Sequence, residues 1–143
     1  MKTLMTLFFA LLVVHTFFAQ PVEFSSEKKS AVVDNLTTAV KSDNTGLQTS
    51  GALVLSNMIS DSYIKSDDAS VALIPLMKML KEGKTDEERI VAAVALYQLG
   101  NSIGIYCLRG VAVYDDNDRV ATVCKNLYYS YHKLHNTEYL VSY

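Results

Sequence analysis

Cys107 and Cys124 are the only cysteines of the chain. If a helical hairpin turns between Asp115 and Asp116, each thiol lies about eight residues from the turn, at matching heights on facing arms. Facing helices run roughly 8–10 Å apart, whereas a disulfide needs Cα atoms within about 7 Å. A bridge therefore demands close arms, which Gly104 and Gly110 would permit. The alternative is two reduced, buried, small apolar residues. Without a Cys-x-x-Cys pattern, a bridge would staple a small domain rather than carry redox chemistry. His132 and His135 could share one helical face, but zinc wants further ligands, and Glu138 is the only near candidate. Asp115–Asp118 lacks the alternating ligands and central glycine of a calcium loop and reads instead as a helix start, where carboxylates favour the dipole. Neither a Gly-rich phosphate loop nor a Ser/His/Asp set is readable, so the sequence predicts no catalytic residue, no metal and no cofactor. Seven of the nine tyrosines lie from Tyr106 onward. Tyr128, Tyr129 and Tyr131 beside His132 form either an aromatic recognition patch or the amphipathic cover of a terminal unit that lacks a neighbour.

These residues sit on a chain that begins like an exported protein. Lys2 precedes an uncharged apolar run of fifteen residues, Leu4–Phe18. That run is shorter than the roughly 18 residues a spanning helix needs. Cleavage after Ala19 is expected, giving a secreted or periplasmic product without stable membrane insertion. The chain has 13 Lys and Arg against 15 Asp and Glu; without Lys2 the balance is 12 against 15. A mildly acidic surface disfavours phosphate backbones, so nucleic acid is excluded as a partner. The expected organisation is a signal over 1–19, a linker over 20–26, one helical domain over 27–136 and a tail over 137–143. About 124 residues suffice for one core.

From Glu27 onward the apolar spacing is helical. Val32, Val33, Leu36, Ala39 and Val40 form one face of a first helix, and Ser42–Asn44 ends it. Thr45 and Gln48 match a capping box for a second helix that runs from about Leu47 to Tyr63 through Leu53, Val54, Met58 and Ile59. Val71, Ile74, Met77 and Leu80 mark the inner face of a third, with a bend expected at Pro75 and a stop at Gly83. Thr85 and Glu88 form a second capping box, ahead of a run, Ile90–Tyr97, that is apolar all round and so calls for cover on several sides. Gly100 fits a left-handed helix end. A fifth helix over about 102–114 and a sixth from Arg119 to about His135 follow. Shifting by thirty residues lays Thr85 on Asp115, Glu88 on Asp118 and Arg89 on Arg119. Shifting back by forty lays Thr45 and Gln48 on the first two. Three hairpins sharing one kind of turn predict an all-α fold, an α-α superhelix of antiparallel helical hairpins.

The stretch Leu73-Ile-Pro-Leu, Gly83, Asp86-Glu-Glu-Arg-Ile-Val-Ala-Ala-Val-Ala-Leu and Leu99-Gly100 resembles HEAT and HEAT-like repeats, with weaker copies on both flanks covering most of residues 30–135. The family often carries an Asp about six residues before its Arg; this chain has Gly83 and Val113 there. Arg89 and Arg119 are therefore expected to pair with turn carboxylates such as Asp86 and Asp116. The resemblance implies a helical scaffold that binds other macromolecules, mostly without catalysis. The expected role here is a non-catalytic protein-binding or assembly module presenting the second helices and the Tyr-rich end. The alternatives are an accessory subunit of an enzyme of the HEAT-like lyase type, and a homo-oligomeric structural protein.

Overall fold

The computed structural model describes residues 25–135. The expected signal, most of the linker, and the tail with Glu138 lie outside the described residues. Six helices follow one another: α1 (Ser26–Val40), α2 (Thr45–Ser60), α3 (Leu73–Glu82), α4 (Asp86–Leu99), α5 (Ser102–Tyr114) and α6 (Asp118–His135). A 3-10 turn, Ser70–Ala72, leads into α3, and no strand occurs among the described residues. The protein is all-α there. α1 starts inside the stretch read as linker, because the Ser25 hydroxyl accepts the Lys28 amide and so satisfies an orphan donor of the first turn.

Connections of three or four residues fold α1 on α2, α3 on α4 and α5 on α6, and links that short make the paired helices antiparallel. α4 is the shared wall, packing against α2, α3, α5 and α6. Its Ala92, Ala93, Ala95, Leu96 and Leu99 are all buried, and no residue of the helix beyond its first turn is exposed. An all-round apolar helix needs this placement, and its alanines let the flanking helices approach. Around it, Val33, Val40, Leu55, Leu76, Leu80, Leu108, Val120 and Cys124 complete one continuous core.

The turns carry the expected chemistry in a different register. α2 is capped by Asn44, whose side chain accepts the Leu47 amide at 3.0 Å, so Thr45 and Gln48 do not form a capping box. Asn caps a helix at least as well as Thr, and it stands one residue earlier. Thr85 and Glu88 do form the reciprocal box that caps α4. At α6 the Asn117 side chain accepts the Val120 amide at 3.1 Å, so Asp115 and Asp118 are not equivalents of Thr85 and Glu88. Asp115 instead ends α5. With caps at Asn44, Thr85 and Asn117, the offsets are 41 and 32 residues rather than forty and thirty. This register makes Gln48 and Arg89 equivalent. Gln48 Nε2 donates to the Val40 carbonyl at 2.9 Å and Arg89 Nε to the Leu80 carbonyl at 2.8 Å. Each ties the start of a second helix to the end of the first.

The inner face of α3 differs from expectation, and that of α2 is set by small residues. On α2 the buried residues are Gly51, Ala52, Leu55, Ser56 and Ile59, while Leu53 and Val54 are exposed. A Cβ at Gly51 would lie 2.7 Å from Ala39 Cβ, so the glycine sets how closely α1 and α2 cross. On α3 the buried stripe is Leu73, Leu76, Met79 and Leu80, while Ile74, and Val71 in the 3-10 turn before it, are exposed. Pro75 does not bend α3, because it is the third residue of the helix, where its missing N–H is no loss. The change of direction comes earlier, in the 3-10 turn. Gly83 does end α3, with an ordinary φ of −57°. It is needed for space, since a Cβ would meet the Met79 carbonyl at 2.7 Å. Gly100 has the left-handed φ of 63° expected of it.

Candidate functional site

The polar residues singled out by their spacing form a seam between the second and third hairpins, at the turn end of the molecule. Arg89 pairs with Asp115, and Asp115 also accepts the Asn117 amide at 3.0 Å. Asn117 Nδ2 donates to Asp86 at 2.7 Å, and Arg119 donates to Glu87 at 2.9 Å with Asp86 at 3.9 Å. Arg119 thus meets the Asp86 expected of it, whereas Arg89 takes Asp115 rather than Asp86 or Asp116. On the other side, Glu88 is buried, with 1% exposure. Burial pushes its carboxyl toward the neutral form. The Thr45 hydroxyl and the amides of Thr85 and Lys84 outweigh that and hold it below its ordinary value. Thr45 therefore serves the cap of the next hairpin rather than its own. Asp115 is likewise held low, chiefly by its hydrogen bond from Arg89. Glu87 is lowered by a backbone hydrogen bond and then by Arg119. All three shifts favour the charged form and follow from caps and ion pairs. None poises a carboxyl to give up a proton near neutrality.

Cys107 and Cys124 are both free and buried, so the disulfide is not formed. The glycines expected to draw α5 and α6 together face elsewhere. A Cβ at Gly104 would meet Leu73 and Leu96 at 3.2 Å, and Gly110 has nothing in front of it within 4 Å. Desolvation raises the Cys107 thiol, and desolvation with the nearby charges of Asp115 and Cys107 pushes Cys124 up to about 12. These are inert small apolar side chains.

The tyrosine cluster is mostly cover for the end of the core. Tyr128 is buried on the inner stripe of α6 with Val120 and Cys124, so it is not part of an exposed patch. Tyr131 donates its hydroxyl to the Gly100 carbonyl at 3.1 Å, tying α6 to the end of α4. Tyr129 and His132 are half-buried, and the His132 ring sits 4.4 Å from that of Tyr128. His135 stacks on Tyr131 and approaches the Tyr131 carbonyl at 2.7 Å. On α6 these aromatic residues, with their polar tips, close that side of the core.

The surface that remains apolar lies on the first helices of the second and third hairpins. Because Leu73, Leu76 and Leu80 turn inward, Val71 and Ile74 are displayed, at 55% and 67% exposure. Alongside them α5 displays Ile103, Tyr106 and Tyr114, at 57%, 64% and 85%. Between the two helices runs a groove of about 410 Å³, lined among others by Met77, Lys81, Ile103, Tyr106, Cys107 and Tyr114. The Arg109 guanidinium lies 5.6 Å from the centroid of the Tyr106 ring, close enough to fix the ring at the groove edge. Single exposed apolar residues are ordinary; here five large ones fall on the outer sides of the first helices of two successive hairpins and the turn before α3.

No protein-family model, curated protein or solved structure matches the chain.

The sequence reading missed Ile74, Ile103, Tyr106 and Tyr114. The signal was present on α3 and the turn before it, which carry two apolar stripes at helical spacing, one through 73, 76 and 80 and one through 71, 74 and 77. Only one can face the core. The surplus stripe is the surface. No described helix is long and apolar enough to cross a membrane.

Proposed function

We propose that the chain is an exported, non-catalytic scaffold of HEAT-like repeats, with its three hairpins stacked as a short superhelix, and that it binds another protein through the outer face of α3 and α5. The observation that carries this reading is the row of Val71, Ile74, Ile103, Tyr106 and Tyr114 lying bare beside a core that is already closed. Apolar side chains left in water gain nothing there, and covering them in a complex is favourable, so the use of such a row lies in contact. Tyrosine gives a large, rigid contact area with a hydrogen-bonding tip, and residues of this type dominate binding energy at interface centres. The binding face differs from the one first expected. The second helices α2, α4 and α6 line up against one another, whereas the first helices leave a groove.

The non-catalytic role is supported by the chemistry of the seam, whose perturbed carboxylates are all stabilised as anions by caps and arginines. Export is supported by the N-terminal pattern alone. The test is capture from an extract of the native host compartment, using wild type and an Ile74→Asp, Tyr106→Ser variant with an unchanged thermal melt. A protein retained by wild type and lost by the variant upholds the reading. Equal capture by both refutes this face as the binding surface.

A further inference from the structure

We propose that Asn35 carries an N-linked glycan, attached to the nascent chain before α1 forms. The inference rests on the export reading, which brings the chain to the compartment where such transfer occurs.

Thr37 is the residue that points to it. Its side chain is 5% exposed, and its hydroxyl is the one buried hydroxyl without a hydrogen-bond partner among the described residues. An unmatched buried hydroxyl costs stability, and valine has nearly the same shape without it. Packing therefore prefers another residue here, and the reason for a threonine lies outside the fold. The hydroxyl stands two residues after an asparagine, with Leu36 between them. Asn35-Leu36-Thr37 is the acceptor pattern for N-glycosylation, and it occurs once in the chain.

The folded structure has room for the product. Asn35 is exposed, and the residues that adjoin it along the helix surface, Ala31 and Thr38, are exposed and small. The Thr38 hydroxyl is tied back to the Asp34 carbonyl at 2.9 Å. α1 packs chiefly on α2, whereas the apolar groove lies between α3 and α5, so glycan and groove belong to different hairpins.

The same structure sets the order of events. Residues two apart on a helix do not face each other, and here Asn35 is exposed while Thr37 is buried. A transferase that reads both side chains at once needs the triplet unwound. α1 offers that, because it is fifteen residues long, a length at which an isolated helix is marginal in water, and its cover, α2, is made after it. Asn35 Nδ2 then attacks the anomeric carbon of an oligosaccharide held on a polyisoprenyl diphosphate. A C–N bond forms, the C–O bond to the diphosphate breaks, the lipid diphosphate leaves, and the amide proton passes to a base of the transferase. Burial of Thr37 on folding closes the acceptor.

The test is expression of the full chain in cultured animal cells. Wild type, Asn35→Gln, Thr37→Ser and Thr37→Val are compared by intact mass and peptide mapping, before and after treatment with peptide-N-glycosidase. Wild type and Thr37→Ser should each lose the mass of one oligosaccharide on digestion, with aspartate recovered at position 35. Asn35→Gln and Thr37→Val should lose nothing. Thr37→Val is the telling variant, because its thermal melt should be no lower than that of deglycosylated wild type, so its missing glycan is no failure to fold. Wild type that is cleaved and secreted without a glycan overturns the proposal and leaves the export reading standing. A glycan that survives in Thr37→Val overturns it too. A chain kept inside the cell with residues 1–19 attached strikes the export reading and the proposal with it.

Discussion

Replacing Glu88 by Ala tests whether neighbouring hairpins are coupled through a buried carboxylate. In the structure Glu88 accepts the Thr85 amide at 2.9 Å and bonds to the Thr45 hydroxyl and the Lys84 amide. Hydrogen bonds to a charged group contribute about 1.5–3 kcal/mol each in net terms, and water regains part of this in the variant. A loss of about 3 kcal/mol is therefore expected, which lowers Tm by about 12–15 °C for a domain near this size. Urea denaturation followed by circular dichroism measures it. The pH dependence has a fixed sign. Because the folded protein holds this carboxyl below its ordinary value of 4.5, its contribution is complete above that value. It is lost as pH falls through the folded value, so wild type and Glu88→Ala should converge in acid. Thr45→Val removes one donor from the first hairpin, and a double-mutant cycle should give a coupling of about 1 kcal/mol with Glu88→Ala. A loss below about 1 kcal/mol, or strict additivity with Thr45→Val, refutes the coupling.

Three further outcomes are expected. The Thr37 hydroxyl is buried and has no hydrogen-bond partner among the described residues, so Thr37→Val should stabilise the fold by about 1 kcal/mol in the same assay. Ser62 closes α2 with a left-handed φ of 62°, while Tyr63 N–H reaches the Met58 carbonyl at 2.9 Å and Ser62 N–H the Ile59 carbonyl at 3.0 Å. Glycine adopts that conformation without the Cβ penalty, so Ser62→Gly should add about 1 kcal/mol. Thiol counting on the purified protein should find two free thiols under denaturing conditions, with Cys124 the slower to react when native, since its thiol is pushed up to about 12. One or no free thiol would contradict the packing of α5 on α6.

Local signals were readable wherever the deciding atoms are close in sequence. Thr85 and Glu88 are three residues apart, and their reciprocal bonds follow from residue type alone. Gly100 and the all-apolar α4 are equally plain. The same pattern at Thr45 and Gln48 misled, because Asn44 caps better and stands next to it, and a one-residue shift frees both side chains for other hairpin contacts. Face assignment failed where a helix carries two apolar stripes. On α3, Val71 and Ile74 satisfy helical periodicity as well as Leu73 and Leu76 do, and the choice is made by α4, which the periodicity of α3 does not describe. The pairing of Arg89 with Asp115 depends on where the third hairpin lands, 26 residues on. Tyr128 was ambiguous for a related reason, since a terminal helix uses similar residues to close a core and to recognise a partner.

Native-state hydrogen exchange tests most directly the claim that α4 is the common wall of three hairpins. The amides of Ala92 to Leu96 should exchange only through global unfolding, more slowly than any in α1 or in the last turn of α6. Exchange of those amides as fast as the amides of α1 would contradict the stack.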